Sequence, residues 1–240
     1  MQFNLPLYPG ILEKRYKRFL ADIRLDSGEM ITAHCANPGS MMGLNIPGSR
    51  VWLTKSDNPK RKLAYSWELL EVDLGDGPAL VGINTNHPNK IVTEAIEAGA
   101  IPELTGYENL RREVKYGVNS RIDILLEDPN RPLCYVEIKN VHLMRQSRLA
   151  EFPDSVTKRG TKHLVELGDM VEAGHRAVML FLIQRTDADR MTLARDIDPN
   201  YAETLDRAMS RGVEILAYDT EINFESVRLR NFIPFDPGTT

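Results

Sequence analysis

Only two cysteines, Cys35 and Cys134, occur in 240 residues, and they form neither a C-x-x-C pair nor another zinc spacing. Both are expected as small buried hydrophobes rather than as a disulfide or metal site. No run of eighteen apolar residues is present, which excludes a membrane-spanning helix. The opening "MQFNLPLYPG" lacks the charged-then-apolar pattern of a secretory signal, so a cytoplasmic protein without membrane contact is expected. The histidines, His34, His87, His142, His163 and His175, show no H-E-x-x-H or H-x-x-x-H spacing, and structural or surface roles are the expectation for them. His163 is the one to watch. No nucleophile elbow, Walker loop or dinucleotide fingerprint occurs. Internal repeats, low-complexity tracts and long linkers are also missing.

What is present suffices for a folded protein: 42% hydrophobic and 27% charged residues, enough to bury a core in one large or two small domains. A formal net charge of −4 rules out a chain that is basic throughout. Cations are nevertheless clustered at Lys14, Arg15, Lys17 and Arg18 and again at Lys60, Arg61 and Lys62.

Residues 1–86 read as strands and turns, with "MITAHC", "SRVWLTKS", "RKLAYSWELLEVD" and "ALVGIN" as the clearest runs. About five strands in such a length fit a small barrel of the OB type. From residue 87 to 240 the pattern alternates. Helices are expected in "NKIVTEAIEAG", "VTKRGTKHLVELGDMVEAG" and "NYAETLDRAMSRG". Strands are expected in "NLRREVKYG", "SRIDILLE", "LCYVEIKNVHLM", "RAVMLFLIQR" and "VEILAY", the apolar fourth run covered on both faces. The expected class is α/β with an all-β N-terminal part.

Strand alternation fixes a register within "SRIDILLEDPNRPLCYVEIKN". Pairing Ile122 with Ile138, Ile124 with Val136 and Leu126 with Cys134 puts one apolar set on one face. Asp123 and Glu137 then oppose each other on the other face, at about 4.5–5.5 Å between Cβ atoms, with Lys139 pointing the same way. Two facing carboxylates repel unless a cation intervenes, and Mg²⁺ or Mn²⁺ takes such oxygen ligands. Lys139 is placed to polarise water or to offset charge growing on phosphorus, the chemistry of phosphodiester hydrolysis. The plainer alternative is a pair of solvated strand-end carboxylates bridged by Lys139.

The helix–meander–helix–strand order, with Asp on the second strand and E-x-K on the third, resembles the PD-(D/E)xK nuclease superfamily. That resemblance implies a further acid on the preceding helix, matched by Glu94, and basic groups on the following helix, matched by Lys158, Arg159 and Lys162. Ile122 stands where the superfamily's motif has Pro. Across nearly the whole chain, "RYKRFLAD", "TAHCANPGSM", "NPKRKLAYSWEL", "REVKYGVNSRIDILL", "YVEIKNV", "FPDSVTKRGTKHL" and "GVEILAY" resemble the sugar fermentation stimulation protein family, with Ala36 where relatives often carry Pro. The resemblance implies an OB-type barrel, a nuclease-like second domain, DNA binding with little sequence preference and a link to regulation of maltose metabolism.

In the barrel, Lys14, Arg15, Lys17 and Arg18 interleave with Tyr16 and Phe19, and Lys60, Arg61 and Lys62 lead into Tyr65 and Trp67. Cations and aromatics in that pattern suit a single-stranded nucleic-acid groove; the alternative buries the aromatics and leaves the cations as solvated edge charges. "AHCANPGSMMG" could wrap a ligand, although turn formation explains its composition. Three functional classes follow: a Mg²⁺-dependent nuclease, a non-catalytic DNA-binding regulator, and an oligosaccharide-binding module. Assembly state is not legible.

Overall fold

A computed structural model describes residues 1–238; Thr239 and Thr240, the end of the second expected domain, lie outside the described residues. The first six strands are β1 (Leu7–Tyr16), β2 (Leu20–Leu25), β3 (Met30–Cys35), β4 (Arg50–Lys55), β5 (Tyr65–Asp73) and β6 (Pro78–Gly82). Their order is β3-β2-β1-β4-β5-β6, and a parallel contact of His34 with Ser66 and Cys35 with Trp67 closes the first five into a barrel. Closure removes the free edges of β3 and β5. The interior is filled by alternating residues such as Leu12, Ile23, Leu53 and Leu70, with Trp67 fully buried among them.

The second part begins with α1 (Pro88–Glu97). Proline at its first position needs no N–H partner, and Gly99, at φ +69°, turns the chain away after it. β7 (Asn109–Tyr116), β8 (Ser120–Glu127) and β9 (Cys134–Val141) form an antiparallel meander. After β10 (Leu143–Gln146) and β11 (Leu149–Phe152), α2 (Lys158–Glu172) crosses to β12 (Arg176–Ile183), which lies parallel to β9. β13 (Arg190–Leu193), α3 (Pro199–Ser210), β14 (Glu214–Ile222), β15 (Val227–Phe232) and β16 (Phe235–Asp236) complete the chain. The main sheet has the order β15-β14-β12-β9-β8-β7, and β10-β11-β13-β16 form a smaller second sheet. No helix among the described residues is long and apolar enough to cross a membrane.

The apolar run of β12 is buried on both faces. One side packs against α2 and α3 through Leu164, Leu167, Tyr201 and Leu205; the other meets α1 and the barrel residues Trp52 and Leu69. The barrel is therefore bound to the sheet by shared core as well as by backbone. Gly82 N donates to Gln184 O at 2.9 Å and Thr186 N to Leu80 O at 3.2 Å, so the segment after β12 covers the otherwise open edge of β6. Glu68 on β5 accepts from Thr54, Asn84 and His87, pinning the start of α1 to the barrel.

Two departures from the sequence reading concern elements. "LCYVEIKNVHLM" is one strand to Val141 and then a separate one, because β10 leaves the main sheet for the small one. The short strands β11, β13, β15 and β16 are absent from the pattern of the sequence. β15 runs Val-Arg-Leu-Arg-Asn-Phe on the sheet edge, where charge replaces the apolar signal of a strand.

Candidate active site

The expected register holds for two of its three apolar pairs, Ile124 with Val136 and Leu126 with Cys134, with Leu125 opposite Tyr135 between them; Ile122 and Ile138 are not paired. The ladder then stops. Beyond it the Asp123 side chain replaces a backbone partner, its Oδ2 accepting from Ile138 N at 2.8 Å. Asp123 and Glu137 therefore flank an opening between β8 and β9 rather than forming a ladder pair. This opening is the floor of a cleft of about 630 Å³, lined by Asp123, Glu137, Lys139, Asn89, Arg159 and His163 among others.

Each carboxylate is held by a different set of donors. Asp123 Oδ1 accepts from Asn89 Nδ2 at 2.8 Å, from the first turn of α1. Glu137, 2% exposed, receives Lys139 Nζ on Oε1 at 2.5 Å and His163 Nδ1 on the same oxygen. Arg159 Nε donates to His163 Nε2 at 3.3 Å, which leaves Nδ1 to carry the ring proton toward Glu137 in the neutral tautomer. Glu137 Oε2 is buried without any hydrogen-bond partner. Burial and the neighbouring Glu137 charge push the Asp123 carboxyl above its usual range. Burial would raise Glu137 as well, but Lys139 and His163 overcome it and hold that carboxyl low. One carboxylate is stabilised as an anion while its neighbour is penalised, and one oxygen of the stabilised group is buried without a partner. A hard divalent cation would relieve both defects, so the oxygen chemistry of these two residues fits such an ion.

Glu94 does not join them. Its carboxylate contacts the Met1 amino group at 2.6 Å and Lys90 at 3.8 Å, and it lines a separate small pocket with Ile91 and Arg228. The reason is helical phase: Asn89 faces the cleft, and five residues further on the helix has turned about 140° from that direction. Asn89 is the contribution of α1, and the short amide was not separable from ordinary first-turn polarity in the sequence.

The predicted cations divide in the same way. Arg159 lines the cleft, while Lys162, paired with Glu166 at 3.6 Å, and Arg121 line an adjoining depression that shares Arg159 and His163. Lys158 is exposed at the start of α2 outside both. Lys17, Arg18, Lys60 and Lys62 are exposed on the barrel, Lys14 lies 3.4 Å from Asp22, and Arg61 donates to Ser66 Oγ at 3.0 Å. Arg15 is a correction: its guanidinium donates to the carbonyls of Arg18, Asn37, Gly39 and Ser40, so it clamps a loop instead of standing free for phosphate. Tyr65 and Trp67 are core, Tyr16 is half-buried and Phe19 is exposed.

The loop that Arg15 clamps belongs to "AHCANPGSMMG", and it reaches the second sheet. Ser40 Oγ donates to Asp154 O at 2.7 Å and Met41 N to Asp154 Oδ2 at 3.1 Å, placing Pro38 on the cleft wall. A Cβ on Gly39 would meet Asp154 Oδ2 at 2.4 Å, so glycine is what lets the loop approach. Burial opposes ionisation of Asp154, yet His142 behind it, with Nε2 at 3.5 Å, and the Met41 N–H pull its carboxyl down to about 2. The sequence offers ligand wrapping or simple turn formation for this loop and does not show its tether, because Asp154 is more than a hundred residues away.

Comparison with known proteins agrees with this architecture. Residues 14–83 match the "SfsA N-terminal OB domain" family model and residues 86–226 the "Sugar fermentation stimulation protein RE domain" model. A sugar fermentation stimulation protein homolog of Azorhizobium caulinodans is 56% identical over 98% of this chain and 99% of its own. Another, of Rhodospirillum centenum, is 61% identical over 90% of this chain and 91% of its own. A solved structure of Pyrococcus furiosus SfsA in complex with Ca²⁺ matches at TM-score 0.86 with 29% identity, covering 98% of each chain. The chain belongs to the sugar fermentation stimulation protein family.

Proposed function

We propose that the protein binds DNA and cleaves phosphodiester bonds with a divalent cation, Mg²⁺ or Mn²⁺, held by Asp123 and Glu137. The observation that carries this reading is the opened strand pair: two acids at one cleft, one of them with a buried oxygen lacking any partner. The family relative solved with Ca²⁺ supports use of a hard cation. When bound, the ion supplies Lewis-acid polarisation of the phosphoryl oxygens. Asn89 and the Ile138 N–H fix Asp123, while His163 and Lys139 fix Glu137. Lys139 carries the positive charge nearest the acids and serves the attacking water and the charge that develops on phosphorus. Arg159 and the exposed barrel lysines supply the sequence-independent phosphate attraction on which non-specific binding rests.

The test is turnover by purified protein with Mg²⁺ or Mn²⁺ on single-stranded, double-stranded and branched DNA beside Lys139→Ala. We expect cleavage by the wild type and a loss of at least about 100-fold in the variant, with DNA affinity changed by less than about threefold. If neither protein cuts any substrate while both bind DNA, the protein is a non-catalytic binder on a nuclease framework.

A further inference from the structure

α1 does not supply the expected additional acid, but another carboxylate lines the cleft: Glu113, in the middle of β7. Its backbone lies in the left-handed region, at φ +55°, where residues with a Cβ are uncommon and within a strand rarer still. The ladder with β8 is intact on either side, with Arg112 opposite Ile124 and Val114 opposite Ile122. The missing pair is Glu113 with Asp123. Asp123 is thus released from strand pairing on both of its sides, and each release borders the same cleft. Arg121 Nη1 donates to the Glu113 carbonyl at 3.0 Å, holding the distorted peptide in place. No Lys or Arg pairs with the Glu113 carboxylate among the described residues, so its charge is uncompensated. Independently, Glu137, a residue 98% buried, lines this cleft, and its Oε2 has no hydrogen-bond partner.

From these observations we infer that Glu113 is the third acid of the divalent-cation site, acting through water from the cleft mouth. The inference rests on the cation reading given above. Water mediation follows from placement: Glu113 is exposed where Asp123 and Glu137 are largely enclosed, and among the described residues no three acidic, His or Cys side chains converge tightly enough to hold an ion directly. Groups that orient the water shell of an ion tune its affinity without being ligands themselves. Glu113 is therefore a positioning residue.

The experiment is titration of the full-length, EDTA-stripped protein with Mn²⁺ alone, followed by the electron paramagnetic resonance signal of free Mn²⁺. Wild type, Glu113→Gln, Glu113→Gly and Glu137→Gln are compared, with thermal melts of each. Glu137→Gln abolishes binding. Glu113→Gln keeps the fold and weakens Mn²⁺ by roughly 10-fold. Glu113→Gly weakens it equally, although glycine suits the left-handed backbone and melts no earlier than wild type. If both Glu113 variants bind within about twofold of wild type while Glu137→Gln does not bind, Glu113 has no part in the site and the cation reading stands. If the wild type takes up no Mn²⁺, or Glu137→Gln binds as well as wild type, the cation reading falls and this inference with it.

Discussion

Asp123→Asn isolates the cost of the proposed site. The substitution keeps the size of the side chain, and one oxygen remains to accept from Ile138 N while Asn89 reorients its amide to serve the other arm. What it removes is a negative charge beside the buried Glu137 in a partly open cleft. At an effective dielectric constant near 20 and a separation of about 5 Å, two such charges repel by about 3 kcal/mol. Lys139 cancels part of this, so the metal-free variant should be more stable than wild type by roughly 1–2 kcal/mol, or about 2–8 °C in melting temperature. The pH dependence has a definite sign. Asp123 has a raised carboxyl in the fold, so its charged form weighs against folding at neutral pH, and the wild type gains on the variant as pH falls through that raised value toward the ordinary carboxylate range. Melting is followed in EDTA at neutral pH, at mildly acid pH, and with millimolar Mg²⁺. We expect the variant to lead in EDTA at neutral pH, the lead to shrink on acidification, and Mg²⁺ to raise only the wild type. A variant that melts several degrees below wild type in EDTA would show Asp123 to be a strand lock whose hydrogen bonds outweigh its charge, and the functional case would lose its physical basis.

Two further predictions concern the loop over the cleft. Gly39→Ala forces a methyl group against the Asp154 carboxylate, and urea unfolding should show a loss of about 1–3 kcal/mol; an unchanged midpoint refutes the tether. Asp154→Ala should cost about 2 kcal/mol at neutral pH, from a carboxyl lowered from 3.8 to about 2. Because that carboxyl is depressed in the fold, its contribution is present above pH of about 4 and fades as pH falls toward 2, so denaturation curves of the two proteins should converge on acidification; a gap independent of pH assigns the loss to packing instead. Lys139→Ala and the Glu113 variants complete the set.

Local chemistry settled a good deal in advance. The strand period of 2 made the pairing of Ile124 with Val136 and Leu126 with Cys134 readable, because a slip of one residue would turn the apolar set outward. The same alternation brought Asp123, Glu137 and Lys139 together on paper. The apolar run at 176–183 announced a strand covered on both sides, and it is the centre of the main sheet. The short strands β11, β13, β15 and β16 are not legible, and β10 is not separable from β9, because their placement depends on partners elsewhere in the chain and not on their own pattern.

The sequence by itself determined the two architectures, the placing of Asp123, Glu137 and Lys139 together, and the family, since each rests on side-chain alternation or on blocks of adjacent residues. Only the tertiary structure decided that α1 offers Asn89 rather than Glu94, that Arg15 holds a loop, that Asp154 tethers that loop at the cleft, and that the strands part on both sides of Asp123. Those outcomes depend on helix phase and on contacts between residues far apart in the chain, and no local period records where a helix is rotated when it docks or which distant carboxylate a loop will find.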